Sequence, residues 1–357
     1  MKIILFSNSC WNLYNFRKDL IIDLLSKNYQ VIIVAPEDEN LLDLTNLGCK
    51  YFNINLSQYG TNFFKELYTL FNLFFLFKKI KPSYIFSYTI KPNLYSSIIC
   101  KLLKIKIICN ISGLGNSFLK KNLVYHVTIF LYKFFLSKSY VIFFQNNDDL
   151  QLFKDLKILS KLNYYLLPGS GINLDFFKSN VKYKIDRPIN FLFIGRFIQA
   201  KGINEFVNAA NLIINDNKNI TFYALSPTSE NFIYYEKKYP YIKFLKTVKD
   251  VRNVLINTGC VVLPSYREGI PRSLIEACSM SIPVIASNVP GCKDVVVEGY
   301  NGFVCSVMSA VSLKDSMIKF NNLSFEDKYK MSKNSRNFAE SKFNVNIVIN
   351  KYNEFII

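Results

Sequence analysis

Two glutamates eight positions apart, Glu268 and Glu276, lie in the stretch SYREGIPRSLIEACSMSIPVIASNVPG (265–291), with Arg272 midway between them. Carboxylates accept hydrogen bonds readily from vicinal hydroxyls, so one of the pair suits a ribose and the other a sugar ring. Paired carboxylates also do the acid/base work of glycosidases, but those face each other across the bond being cut, usually from separate elements. Here both belong to one turn and the helix after it, which favours holding a ligand over cleaving one. Upstream, IGRFIQAKG (194–202) presents Arg196 and Lys201. A planar guanidinium beside a point-charge ammonium matches a diphosphate whose negative charge grows as it departs; an ordinary loop and helix start is the other reading of these two residues. One histidine, His126, leaves little imidazole for proton transfer.

These residues need elements to position them, and the chain supplies short apolar strands alternating with helices. In the first half the strand patterns are IILFS, VIIVAP, YFNINL, SYIFSY, IKIICNIS, YVIFFQ and NYYLLP, separated by helical segments over 14–27, 61–80, 91–103 and 120–137. Near-continuous apolar strands between helices predict a parallel sheet covered on both faces. The same grammar restarts after residue 187 with INFLFIGRF, a helix over 203–215, NITFYAL, IKFLK, GCVVLP, a helix from about 271, PVIAS and GFVC. The turn-rich segment 168–188 reads as a linker. Two doubly wound Rossmann-like domains follow, 1–170 and 171–341, with a terminal helix over about 342–357 expected to pack back on the first. Open parallel sheets take ligands beyond the carboxyl ends of their strands, so the two domains are expected to face a central cleft. A helix starting near Pro271 places Glu276 in its first two turns and Glu268 in the turn before it. The amides from Gly269 to Ser273 then offer a cradle for an anion or hydroxyl.

Charge narrows the partners. The net formal charge is +18, and from Lys50 to Asn147 thirteen lysines stand against one acid, Glu66, a net of +12 in that segment. A lysine-rich composition explains the total but not the missing acids. Phenylalanine interleaved with lysine on helices suits an anionic membrane surface, where rings enter the headgroup boundary and ammonium groups meet phosphates. No helix-turn-helix, zinc-finger or RRM signature supports nucleic acid as a partner. The longest apolar stretches, 68–77 and 123–136, fall short of the ~20 residues a spanning helix needs, and no signal peptide is expected at the N-terminus. None of the eight cysteines sits in a Cys-x-x-Cys pair, and most of them, Cys100, Cys109, Cys260, Cys278 and Cys305, lie within or beside apolar runs and read as small buried hydrophobes of a reducing cytosol. No metal site is expected, the acidic PEDEN (36–40) being a loop and helix start.

The motifs together resemble the family 4 retaining glycosyltransferases of the GT-B fold. Gly195-Arg196-x4-Lys201-Gly202, LPSYREGIPRSLIEA with its Glu-x7-Glu spacing, and PVIASNVPGCKDVVVEGYNGFV occur in the family's order over 190–305. WNLYNFRKDLI, SYTIKPNLYSS and ISGLGNSF are similar to the subset that acts on undecaprenyl diphosphate-linked saccharides in O-antigen, capsule and N-glycan precursor assembly. The resemblance implies that Arg196 and Lys201 neutralise the donor diphosphate, that Glu276 holds the ribose, and that Glu268 contacts the donor sugar. Donor contacts are expected from Gly195, Gly269, Ile270, Pro271, Arg272 and Ser273, the resemblance implying that backbone amides near 270–272 orient sugar and phosphate. Many relatives carry a small or apolar residue where Arg272 stands, and its side chain is expected to meet a phosphate or an anionic substituent unless it is only helix-surface charge. For the acceptor diphosphate the candidates are Lys91 and Asn93, which follow a strand and open a helix, and Asn12, Asn15 and Arg17 at a polar start of the first helix, where capping is the alternative; Gly113 and Gly115 are further acceptor candidates. The implied reaction moves a hexose or N-acetylhexosamine from a nucleotide sugar, UDP-linked, to a lipid-linked saccharide at the inner face of the plasma membrane, with no cofactor and no metal. Many relatives carry a histidine in the N-terminal domain near the sugar; the loop NISGLG here has none, and His126 lies on an aromatic helix. A nucleotide-sugar 2-epimerase and a non-catalytic membrane-surface protein are the competing expectations.

Overall fold

The computed structural model describes residues 1–56, 62–114, 118, 123–136, 139–159, 163–178, 189–214, 219–226 and 231–356. The chain divides into two units, Met1–Ser170 with Asn346–Ile357, and Gly171–Val345.

Unit 1 is built on a parallel sheet of β1 (Lys2–Phe6), β2 (Gln30–Ala35), β3 (Lys50–Asn53), β4 (Tyr84–Tyr88), β5 (Lys106–Ile111), β6 (Val141–Phe144) and β7 (Tyr164–Leu166). Their order is β3-β2-β1-β4-β5-β6-β7, so the winding reverses between β1 and β4. Its helices are α1 (Cys10–Ser26), α2 (Leu41–Asn46), α3 (Phe63–Ile80), α4 (Ile90–Leu103), α5 (Leu123–Phe135) and α6 (Asn147–Asp155). The central strands are buried on both faces, as in Ile3, Ile4, Leu5 and Phe6, because helices cover both sides. α1 begins at Cys10 rather than near residue 14, since the Ser9 side chain accepts from the Asn12 amide and caps the helix there. Asn15 and Arg17 therefore lie inside the helix, and Asn12 in its first turn, where its amide meets the Ser9 cap.

Unit 2 has a parallel sheet of β8 (Ile189–Ile194), β9 (Ile220–Leu225), β10 (Lys243–Leu245), β11 (Cys260–Leu263), β12 (Val284–Ser287) and β13 (Gly302–Cys305), ordered β10-β9-β8-β11-β12-β13. Here the reversal falls between β8 and β11. The helices are α7 (Ile203–Ile214), α8 (Phe232–Lys238), α9 (Arg252–Leu255), α10 (Arg272–Ser279), α11 (Ala310–Asn321) and α12 (Phe325–Lys342). Arg336 of α12 donates from one nitrogen to the carbonyls of Leu174, Phe177 and Ser279, tying the first residues of the unit to the end of α10.

The last helix, α13 (Val345–Asn353), belongs to unit 1 from Asn346 onward. Tyr352 is buried against Phe86 and Phe143, and its hydroxyl donates to the Asn110 side-chain oxygen. All eight cysteines are buried and unbridged. No described helix is long and apolar enough to cross a membrane.

Candidate active site

In unit 2 the residues singled out for chemistry follow the two strands that flank the reversal. Arg196 and the 3-10 turn Gln199–Lys201 come after β8; Pro264 to Glu268 come after β11. The crossovers from these strands leave opposite faces of the sheet and so leave a gap at their carboxyl ends. The two loops are clamped together. Gly202 ends the 3-10 turn with φ of 74°, and a Cβ there would lie 2.0 Å from the Pro264 carbonyl oxygen. The Tyr266 amide donates to the Ala200 carbonyl at 3.0 Å, and the Tyr266 hydroxyl to Glu205 at 2.8 Å.

This clamp brings Lys201 Nζ within 2.5 Å of Glu268 Oε1, across 67 residues of sequence. Both side chains keep some surface, 24% for Lys201 and 11% for Glu268, so the pair is neither sealed nor fully solvated. A third loop supports the glutamate turn from behind. The Glu268 amide donates to the Pro290 carbonyl at 3.2 Å, and Gly291 packs so closely that a Cβ there would sit 2.0 Å from the Gly269 oxygen.

α10 begins at Arg272 behind Pro271, whose ring supplies no capping acceptor. Leu274 and Ile275 make the first intrahelical bonds to the Pro271 carbonyl. One turn on, Arg272 Nε donates to Glu276 Oε1 at 2.8 Å. Burial pushes the Glu276 carboxyl above the ordinary glutamate range, and Arg272 pulls it back by charge and hydrogen bond. Gly195, Arg196 and Ser273 are half-buried, Gly269 and Pro271 buried, and Ile270 packs its side chain on the core of the unit. Lys201 and Arg272 thus each pair with one acid that can be exchanged for a ligand anion, while the released carboxylates can accept hydroxyls. Gly202, Tyr266 and Gly291 act as supports that the sequence reading did not assign. The Pro290-Gly291 dipeptide was the available signal, being a turn between strand patterns.

The acceptor candidates of unit 1 separate. Asn93 is 1% exposed; its amide donates to the Asn110 carbonyl at 2.8 Å, and its oxygen accepts from Ser87 at 2.6 Å. That side chain joins α4 to β4 and β5. Lys91 pairs with Glu66 at 2.6 Å. Asn15 donates to the Trp11 carbonyl within its own helix, and the Asn12 side-chain oxygen lies 3.1 Å from Ser7 Oγ. Arg17 is buried over the Tyr88 ring. Gly113 has φ of 113°, and Gly115 lies outside the described residues. His126 is exposed on α5, edge-on to Tyr125. Among the described residues, no three Asp, Glu, His or Cys side chains gather into a metal-binding group.

Two Rossmann-like parallel-sheet domains, the second with lysine and glutamate at its winding reversal, define the GT-B class of glycosyltransferases. Residues 2–146 match the family "Glycosyl transferase 4-like", and residues 175–338 match "Glycosyl transferases group 1". The chain belongs to this glycosyltransferase family and is a transferase. It is 26% identical to the N,N'-diacetylbacillosaminyl-diphospho-undecaprenol alpha-1,3-N-acetylgalactosaminyltransferase of Campylobacter jejuni, over 99% of this chain and 97% of that one. It is 22% identical to the UDP-Gal:alpha-D-GlcNAc-diphosphoundecaprenol alpha-1,3-galactosyltransferase of Escherichia coli, over 94% and 90% of the two chains. Among solved structures, Anabaena HepE in complex with UDP and glucose superposes with a TM-score of 0.82 at 14% identity, over 99% and 98% of the chains.

Proposed function

We propose that this glycosyltransferase moves a hexose or N-acetylhexosamine from a UDP sugar to a polyprenyl-diphosphate-linked saccharide, with retention at the anomeric carbon, on the cytoplasmic face of the plasma membrane. The observation that carries this reading is the Lys201–Glu268 contact at the β8/β11 reversal, with Arg196 on the same loop as Lys201. A diphosphate arriving there takes Lys201 from Glu268. The freed carboxylate then accepts hydroxyls of the donor sugar, and Glu276 does the same for the ribose. As the bond from the anomeric carbon to phosphate oxygen breaks, negative charge gathers on the β-phosphate, where Arg196 and Lys201 meet it. The acceptor hydroxyl attacks from the same face, forming the new carbon–oxygen bond, and its proton passes to the departing phosphate oxygen. No histidine is required by that route. The two relatives above, both acting on undecaprenyl-diphosphate saccharides by their names, support the acceptor class.

A thermal-shift screen of nucleotide sugars, followed by transfer to a short-chain polyprenyl-diphosphate saccharide, tests the reading. Stabilisation by UDP and an α-linked product from an α-linked donor are expected. Absence of any nucleotide effect would refute it, and release of a free epimerised sugar without acceptor would indicate the 2-epimerase instead.

The membrane face is argued from α3, α4 and α5, which adjoin one another in unit 1. Phe64, Tyr68, Phe71 and Phe75 recur at helical spacing on the solvent side of α3, and Phe130 and Phe134 on that of α5; Phe71 is 61% and Phe130 65% exposed. Lys78, Lys79, Lys101 and Lys133 are exposed on the same helices. A single buried phenylalanine transfers roughly 1.5–3 kcal/mol out of water, so two such rings decide between binding and release. Phe71→Ser with Phe130→Ser is expected to weaken binding to phosphatidylglycerol vesicles at least tenfold in a flotation assay, with turnover on a water-soluble acceptor retained.

A further inference from the structure

Unit 1 has a winding reversal of its own, between β1 and β4. Two polar groups near that point lack partners. Arg17 of α1 is 4% exposed, its Cζ lies 4.5 Å over the ring of Tyr88 at the end of β4, and its Nε and Nη1 are buried without a hydrogen bond. One residue past Tyr88, Thr89 leaves the 14-residue helix α4 without a side-chain cap, and its Oγ1 is buried and unpartnered. Thr89 also holds φ 73°, ψ 165°, a conformation that a β-branched residue adopts only under constraint.

Each of these features costs folding stability. A buried guanidinium without an acid is expensive, and attraction to one aromatic ring returns only part of the loss. A buried hydroxyl without a partner adds to it. One anion with several acceptor oxygens at the start of α4 would relieve both: the guanidinium donates as a fork, the threonine hydroxyl donates once, and the helix dipole favours the charge. A phosphoryl group has enough oxygens for these donors together. Lys91, in the first turn of α4, stands one exchange of its Glu66 partner away from joining them.

We propose that Arg17 and Thr89 form a phosphoryl-binding site at the β1/β4 reversal of unit 1. The proposal rests on the functional reading above only for the carrier of that group, since a polyprenyl diphosphate and a phospholipid headgroup share the chemistry.

Arg17→Met keeps an unbranched apolar stem and removes the charge. In an R196M/K201M/R272M parent, where unit 2 contributes none of its three cations at the donor site, calorimetric affinity for inorganic pyrophosphate is expected to fall at least tenfold on adding R17M. The ligand-free melting temperature is expected to rise by about 2–4 °C, because the uncompensated cation has gone. Thr89→Val, which keeps the shape and loses the hydroxyl, is the second variant, with a smaller loss of pyrophosphate affinity expected; it decides the matter if R17M fails to fold. Pyrophosphate affinity within twofold of the parent in either folded variant overturns the site, as does a lack of pyrophosphate binding by the parent. Farnesyl diphosphate and phosphatidylglycerol vesicles, run as separate arms, identify the carrier: loss with farnesyl diphosphate assigns the polyprenyl diphosphate, and loss on vesicles alone assigns the headgroup. UDP binding by the wild-type protein is read in parallel. A protein that ignores UDP but binds pyrophosphate through Arg17 would sink the donor assignment and leave this site standing.

Discussion

Lys201→Met and Arg196→Met are each expected to lower turnover by about 10²–10³-fold, the range seen when one preorganised donor to developing charge is removed. The loss should appear in kcat and in kcat/KM alike, because the diphosphate carries more negative charge when departing than when bound. Lys201 has a second effect to separate. Its removal leaves Glu268 half-buried without its 2.5 Å partner, and that carboxylate would then repel a diphosphate. K201M/E268Q removes both charges. If leaving-group stabilisation is the role of Lys201, the double variant stays as slow as K201M; if the lysine only neutralises Glu268, the double variant recovers much of the turnover. Because the two cations serve one developing charge, R196M/K201M should be far from additive. Unchanged turnover in both single variants, measured by steady-state transfer at saturating donor, would remove the assignment.

Gly291→Ala should damage the site without touching a ligand. The backbone there has φ of 81°, and the new Cβ would meet the Gly269 oxygen at 2.0 Å and the Glu268 oxygen at 2.8 Å. Neither contact is a flexible side-chain end, so the Glu268 turn must move. Strain and displacement together are expected to cost about 3 kcal/mol of stability, near the upper end for single substitutions. A shift of about 1 Å in a positioned group costs on the order of 10²-fold in rate, so turnover should collapse in protein that is still folded. Gly299→Ala is the control. It has a similar φ of 73° but nothing within 4 Å of the added carbon, so only the backbone penalty of roughly 1 kcal/mol applies. Melting curves and kinetics on the pair separate the close approach from the backbone conformation. Equal behaviour of the two variants would show that the turn does not rest on Gly291.

Much of this protein follows from local patterns that any reader of the chain can apply. Runs such as KIILF and INFLFI between amphipathic segments dictate buried parallel strands, because a chain with helices on both sheet faces needs apolar side chains on both. The Gly195–Gly202 and Glu268–Glu276 stretches are legible for a similar reason: a strand followed by a turn and a helix start delivers its loop to the carboxyl edge of the sheet, wherever the strand goes. Helix bounds were less legible. Ser9 moved the start of α1 by one turn, and a single cap oxygen is a weak signal beside an apolar period.

What the tertiary structure alone decided is which distant groups meet. Lys201 reaches Glu268 only because β11 lies beside β8, an order set by crossover packing over the whole unit. The same holds for Gly291 behind the glutamate turn. Asn93 looked available at a helix start, yet the sheet needed its amide, and Arg17, read as part of a polar helix start, lies buried over Tyr88. Periodicity and capping act between residues a few positions apart, so sequence can state them; neighbours in space depend on strand order and burial, which are properties of the finished fold.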